Sequence, residues 1–359
     1  MTKILLNPGP VTLSKGVRSA AADTDFCHRE QAFLDIQKEV IDGLLAVYDC
    51  DPETWACIAL GGSGTTAMEA MVTSIVPYGQ RLLVIENGVY GERLSRIARI
   101  HDIDHDALSL DWGQAIDLEE LGSRLRSGAY GYLAAVHHET TTGRLNPLAE
   151  IADVCARHGV SLLADTVSSF GVEDIPFGHP ALAACAGTAN KALHGIPGLA
   201  FVMSRRYLLG SDAPERTLYL HLPRWAEAQQ KGSTPFTPPV NAYLALKQAL
   251  QELRQQGGWH RRHARYSALA ESVRRALSGC GVSPWLAPED SSCALRSYRL
   301  PDRLTYNELY DAFEDRGFVI YAGQGGLSGE MFRISTMGEI NDSDLARLIN
   351  TINDIFSDD

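Results

Sequence analysis

The chain predicts an α/β fold built on a mostly parallel sheet, and two observations carry that prediction. From about residue 57 to residue 206, short β-rich apolar runs alternate with segments of helical period, the pattern of strands joined by helices that cover both faces of a sheet. At 359 residues the chain has material for about two domains and can bury a large core. Strands are expected over residues 57–60, 81–86, 131–137, 160–164, 182–186 and 199–204, with helices between them. Asn146-Pro147 reads as an N-cap followed by proline at the first helical position. Leu148, Ile151, Ala152 and Cys155 then recur at helical spacing until His158-Gly159 ends the segment. The breaker-rich stretch Lys231-Gly-Ser-Thr-Pro-Phe-Thr-Pro-Pro-Val240 marks a change of domain. Beyond it a helical pattern runs from Asn241 past Gly258 to Leu277. Apolar runs at 294–300 and 317–321 and a last helix over 342–356 follow, so residues 16–240 form a large domain and 241–359 a smaller α+β one.

Composition excludes several classes of function. Lys and Arg number 32 against 44 Asp and Glu, a net charge of −12, and the acidic residues are scattered, so no nucleic-acid footprint is expected. Seven cysteines, an odd count without a C-x-x-C pair, disfavour a disulfide framework and a zinc ribbon alike. The opening MTKILLNPGPV reaches Pro8 too soon for a signal-peptide core, and no run approaches 18 apolar residues. A cytoplasmic chain with reduced thiols, no membrane span and no metal is the expectation.

Gly61-Gly-Ser-Gly-Thr-Thr66 follows a strand and opens a helix, so its N–H groups and hydroxyls either cradle a phosphate or simply make a well-capped turn. It has neither the lysine of a P-loop nor the spacing of a dinucleotide site. Val160-Ser-Leu-Leu-Ala-Asp165 ends an apolar strand in a carboxylate, and Ala189-Asn-Lys191 places a lysine just beyond another; both fall at the carboxyl edge of the sheet, where ligands bind. A lysine that holds pyridoxal phosphate needs an acidic partner for the ring nitrogen, a phosphate anchor and a ring-stacking side chain. Asp165, the Ser63, Gly64 and Thr65 turn, and Tyr90 in Asn87-Gly-Val-Tyr-Gly91 would supply them. Taken singly, a strand-end Asp is more often a turn residue and a lone Lys a surface charge; their joint order is far more specific.

Nearly end to end the chain resembles the class V aminotransferases of the fold-type I pyridoxal-phosphate superfamily. The resemblance rests on Leu6-Asn-Pro-Gly-Pro-Val11, Gly62-Ser-Gly-Thr65, Asn87-Gly-Val-Tyr-Gly91, His137-His-Glu-Thr-Thr-Thr-Gly143, Asp165-Thr-Val-Ser-Ser-Phe-Gly171, Ala189-Asn-Lys191, Phe236-Thr-Pro-Pro239 and Phe332-Arg-Ile334. The two seven-residue stretches among these, around Glu139 and Asp165, favour the phosphonate-handling members over alanine–glyoxylate relatives. The resemblance implies that Lys191 carries the cofactor, Asp165 pairs with its ring nitrogen and Val167 packs on the ring face opposite Tyr90. It further implies that Thr140 reaches the phenolic oxygen, Asn190 the phosphate region, and Thr237 the phosphate of a neighbouring subunit, hence a homodimer with shared sites. Residues 1–15 would lie with the small domain at the site's mouth. Arg333 would clamp the anionic end of a small amine donor and of a 2-oxo acid, as its planar fork suits carboxylate and phosphonate. Alanine– or serine–glyoxylate transamination, or a lyase acting on a modified aminophosphonate, are the alternatives.

Where the family reads Tyr-Pro-Gly-Lys and Phe-Arg-Ile-Gly-Asn, this chain has Tyr321-Ala-Gly-Gln324, a glycine-rich stretch to Gly329, and Phe332-Arg-Ile-Ser-Thr336. Those departures flank Arg333 and leave the cofactor residues intact. His137-His138 beside Glu139 reads as ordered polar packing, and Trp259-His-Arg-Arg-His-Ala-Arg265 as the solvated face of a helix.

Overall fold

The structure, a computed structural model, describes residues 3–356. Seven strands form the main sheet: β1 (Trp55–Gly62), β2 (Leu82–Glu86), β3 (His105–Ser109), β4 (Tyr132–Val136), β5 (Ser161–Asp165), β6 (Leu182–Thr188) and β7 (Gly198–Arg205). Their spatial order is β1-β7-β6-β5-β4-β2-β3. All run parallel except β7, which is antiparallel to both β1 and β6. Alternate residues along the buried strands enter two separate cores: in β1, Trp55, Cys57 and Ala59 face one, Ala56, Ile58 and Leu60 the other. Burial on both faces is why these strands are apolar throughout. The carboxyl ends of the parallel strands come out along one edge, where Asp165 closes β5.

One strand was not expected. β3 is the edge strand His105-Asp-Ala-Leu-Ser109, and only Leu108 in it is buried, so no apolar run announces it. A second difference lies at Asn146. The helix Leu148–Arg157 begins after Pro147, and the Asn146 side chain instead donates to the Val136 carbonyl at 2.8 Å and accepts from Asn87 Nδ2 at 2.8 Å. It ties the end of β4 to the Asn87 turn rather than capping a helix.

The long helical pattern after 240 divides into Val240–Gln255 and Gly258–Gly279. The break falls at Gly257 and Gly258, with φ of +94° and +77°, values that glycine adopts without strain. The first helix packs Tyr243, Leu246, Leu250 and Leu253 into a main-sheet core, whereas Tyr266, Leu269 and Val273 of the second join a third core with Phe332 and Ile334. In packing terms the large body thus extends one helix beyond residue 240. The third core covers an antiparallel sheet of Leu295–Arg299, Met331–Ser335 and Tyr321–Ala322. It is closed by Asp342–Phe356, whose Leu348, Thr351, Ile352 and Phe356 face inward. The N-terminal Ile4–Leu5 pairs in parallel with Phe318–Val319, which brings the turn at Asn7-Pro-Gly-Pro10 toward the main sheet's edge. Among the described residues, no helix is long and apolar enough to cross a membrane.

Candidate active site at the carboxyl edge of the sheet

Asp165 is 3% exposed, and its Oδ1 accepts the Val167 N–H at 2.9 Å. Burial pushes its carboxyl up to about 6, against that hydrogen bond and the charges of Lys191 and Arg93. Lys191 hangs in the short loop between β6 and β7 and donates from Nζ to the Pro8 carbonyl. Burial lowers its ammonium to about 8; Asp165 opposes that fall, and Arg333 and Arg93 add to it. Gly9, at φ +111°, lets the N-terminal turn close on this lysine, since a Cβ there would stand 2.7 Å from Lys191 Cδ.

The helix α1 (Gly64–Ile75) starts where β1 ends, with Ser63 as N-cap. The Ser63 N–H donates to Thr66 Oγ1 at 3.0 Å, and Thr65 Oγ1 accepts from Arg93 at 3.2 Å. A Cβ on Gly64 would sit 2.5 Å from Val167 Cγ1; only glycine lets this turn approach Val167, two residues after Asp165, so closely. Tyr90 lies in the first turn of α2 (Val89–Ile100), with the Arg93 guanidinium 4.5 Å from its ring centroid.

Glu139 and Arg93 are site residues for which the sequence assigned no role. Glu139 is fully buried and accepts four hydrogen bonds at the start of α2. Oε2 takes the N–H groups of Tyr90 (3.1 Å) and Gly91 (3.4 Å), and Oε1 takes the Thr141 N–H (3.0 Å) and hydroxyl (2.6 Å). Burial pushes its carboxyl up to about 7 against the Thr141 hydrogen bonds, and the positive end of the helix favours the anion. The one sequence signal was the exact form of the His-x-Glu-Thr stretch. Arg93 stands three residues after Tyr90, one helical turn away, so spacing alone could have found it.

Arg333 is 1% exposed in Met331–Ser335. Its Nε donates to the Ala322 carbonyl at 2.8 Å and Nη1 to the Thr140 carbonyl at 2.6 Å, and the Tyr321 ring lies 5.1 Å away. Nη2 is buried with no partner, and among the described residues no carboxylate pairs with the guanidinium. A buried cation held by two carbonyls, with its Nη2 left unpartnered, is equipped to receive an anion.

Other residues stand as follows. Asn190 accepts from Thr188 Oγ1 at 2.8 Å, which fixes it at the end of β6. Thr237 is exposed in the loop before Val240–Gln255. His137 is packed as expected, Nδ1 lying 3.0 Å from Ser169 Oγ, but both ring nitrogens of buried His138 lack partners, and burial lowers that imidazole to about 4. The 259–265 stretch is a solvated face in part, with His260, Arg261 and Ala264 exposed, but Arg262 turns inward. Arg262 is 4% exposed and donates to the carbonyl of Ala192, next to Lys191, at 2.6 Å, because the helix Gly258–Gly279 lies against that loop.

These residues fit pyridoxal phosphate. A buried carboxylate with a single hydrogen bond awaits a protonated ring nitrogen, a glycine-lined helix start awaits a phosphate, and a lysine of lowered pKa stands in the same edge. A parallel sheet with one reversed strand beside the lysine loop is the architecture of the fold-type I pyridoxal-phosphate transferases. A profile of the family described as Aminotransferase class-V matches residues 60–297, and the chain belongs to that family. Its cofactor is pyridoxal phosphate. The chain is 33% identical to a 2-aminoethylphosphonate–pyruvate transaminase of Phocaeicola vulgatus, covering 97% of this chain and 98% of the relative. It is 31% identical to one of Lactiplantibacillus plantarum, covering 98% and 97%. Among solved structures, a subgroup IV aspartate aminotransferase of Thermus thermophilus superposes with a TM-score of 0.90 at 29% identity, covering 98% of this chain and 99% of that one. An alanine–glyoxylate aminotransferase of Nostoc gives 0.89 at 27%, covering 99% and 95%.

Proposed function

We propose that the chain transfers the amino group of 2-aminoethylphosphonate, or a close aminophosphonate, to pyruvate, giving phosphonoacetaldehyde and L-alanine. The observation that carries this reading is the unpaired, buried Nη2 of Arg333, the free arm of a fork that suits phosphonate and carboxylate in turn; the names of the near-full-length relatives support it. Pyridoxal phosphate, when bound, supplies a carbonyl carbon that takes the amine and a ring that draws off the electrons of the broken C–H bond. Asp165 holds the proton on the ring nitrogen. Lys191 would carry the cofactor at rest; once freed, its Nζ would take the proton from the amine-bearing carbon and return it to the cofactor carbon on the far side of the amine nitrogen. A lysine at about 8 is partly neutral near pH 7.5 and so serves as base and acid. Ser63, Gly64, Thr65 and Asn190 hold the phosphate, Thr140 the phenolic oxygen, and Tyr90 and Val167 flank the ring. Arg93 and Glu139 set the position of Tyr90.

In this reading Thr237 serves the phosphate of a second copy, so the working form is a cytoplasmic homodimer with shared sites. Each chain comprises the N-terminal segment 1–15, a large domain that runs on from 16 past 240 to take in the helix Val240–Gln255, and a small domain beyond it. The test is a panel of amine donors with pyruvate, followed for alanine and for ammonia. Alanine formed with 2-aminoethylphosphonate as the preferred donor is the expected result. Ammonia release without alanine would make the chain a lyase, and a preference for alanine or serine with glyoxylate would place it with the glyoxylate enzymes.

A further inference from the structure

Glu173, His263 and Cys293 are far apart in sequence, yet their ligand atoms all lie within 4.8 Å of one another. Glu173 follows the Asp165 loop, His263 stands in the helix Gly258–Gly279, and Cys293 precedes Leu295–Arg299. His263 Nδ1 is 3.2 Å from Glu173 Oε2 and 3.5 Å from Cys293 Sγ. For an ion bound tetrahedrally at about 2.0–2.1 Å to nitrogen and oxygen and about 2.3 Å to sulfur, the N···O edge is ~3.3 Å and the N···S edge ~3.6 Å. Two of the three edges are therefore already set, and the O···S edge, within 4.8 Å, would close on the ion.

The carboxylate is also oriented for this. Glu173 Oε1 accepts from Ser292 Oγ and from the Cys293 N–H at 3.0 Å, leaving Oε2 turned to the histidine, as outer hydrogen bonds commonly aim a ligand. Glu173 and Cys293 are 2% and 5% exposed, whereas the His263 side chain is 43% exposed and gives an ion a way in. We propose that Glu173, His263 and Cys293 form a binding site for a zinc-class divalent ion. Its fourth position is filled by water or by the Val172 carbonyl, which lies 2.9 Å from His263 Nδ1.

The donor set of one nitrogen, one oxygen and one sulfur selects zinc or cobalt over magnesium or calcium. On binding, the Cys293 thiol releases its proton to solvent, and His263 is left neutral with its hydrogen on Nε2. One thiolate and one carboxylate then balance the ion's two charges. The ion would fasten the segment after Asp165 to the smaller sheet, a structural role that does not involve the cofactor.

Reduced, untagged, chelator-treated holoenzyme is titrated with Co²⁺ and then Zn²⁺. One equivalent of Co²⁺ should bind, with a thiolate-to-cobalt band in the difference spectrum, be displaced by one equivalent of Zn²⁺, and raise Tm. Cys293→Ser should remove the band and, like His263→Ala, weaken Zn²⁺ binding by more than the roughly 10–100-fold that loss of an outer partner costs. His263 is the more exposed of the ligands, so its variant decides the matter should Cys293→Ser fail to fold. Zn²⁺ affinity unchanged in His263→Ala, or a bound equivalent of Co²⁺ without a thiolate band, would overturn the proposal and leave a hydrogen-bonded cluster.

Discussion

Replacing Glu139 by glutamine changes almost no volume, yet it sets one NH₂ against donors. Oε2 now receives two N–H groups, and Oε1 an N–H and a hydroxyl. Whichever way the amide turns, two donors face its nitrogen. The cheaper orientation puts NH₂ toward Thr141, but that hydroxyl also accepts the Val89 N–H at 3.1 Å and has little freedom to re-aim. A buried donor left unpaired costs about 1–3 kcal/mol, and the lost charge at the helix start about another 0.3–1 kcal/mol, so a net loss of ~1.3–4 kcal/mol is expected. With an unfolding entropy of about 2.1 cal/mol/K per residue, a chain of 359 residues loses ~1.3 °C per kcal/mol, or about 2–5 °C. Because Glu139 fixes the backbone of Tyr90, cofactor affinity should fall as well. Calorimetry of the cofactor-free and cofactor-loaded variant, with a titration of pyridoxal phosphate, measures both effects. A Tm within 1 °C of the parent together with unchanged affinity would refute the idea that the four donors demand an anion.

Arg333→Lys keeps the charge but loses the planar fork, so kcat/KM of both half-reactions should fall by about one to two decades with the cofactor's absorbance unchanged; a loss confined to the pyruvate half, in single-turnover measurements, would place the donor's anion elsewhere. Asp165 at about 6 lies above the ordinary carboxylate value of about 3.9. Between those pH values the folded, cofactor-free chain holds a proton that the unfolded chain has lost, and stability falls with rising pH by roughly 3 kcal/mol. Urea midpoints across pH 4–6 should lose that slope in Asp165→Asn, and a slope that persists would exonerate the residue. Mixing Lys191→Ala with a deletion of the Thr237 loop should restore part of the activity in hybrid dimers, whereas full activity in a strictly monomeric preparation would rule out shared sites.

The inner strands were legible because burial on both faces makes them uniformly apolar, and Asp165 and Lys191 because each stands directly after such a run. β3 escaped for the converse reason, since an edge strand with one buried residue carries no apolar signature. Asn146 misled because a cap and a strand-to-turn tie use the same side chain, and only the third dimension shows that Asn87 and Val136 stand beside it. Arg262 misled because its partner, the Ala192 carbonyl, is 70 positions away. Glu139 was visible as a motif letter, but its work is done on backbone N–H groups that no residue pattern displays.

β1 occupies an edge of the main sheet, and its sole neighbour there is β7, so that Ala59 pairs with Phe201 about 140 residues further along. At a synthesis rate of roughly 5–20 residues per second, some 7–30 seconds separate the emergence of these two strands from the ribosome. Throughout that interval Trp-Ala-Cys-Ile-Ala-Leu, apolar on both sides, has no sheet to join. The hairpin from β6 to β7 closes across few residues and can form at once, whereas the first strand made is the last to be enclosed. The nascent chain, rather than the finished enzyme, is therefore where this fold is most exposed to aggregation, and slower translation between residues 62 and 198 would lengthen that exposure.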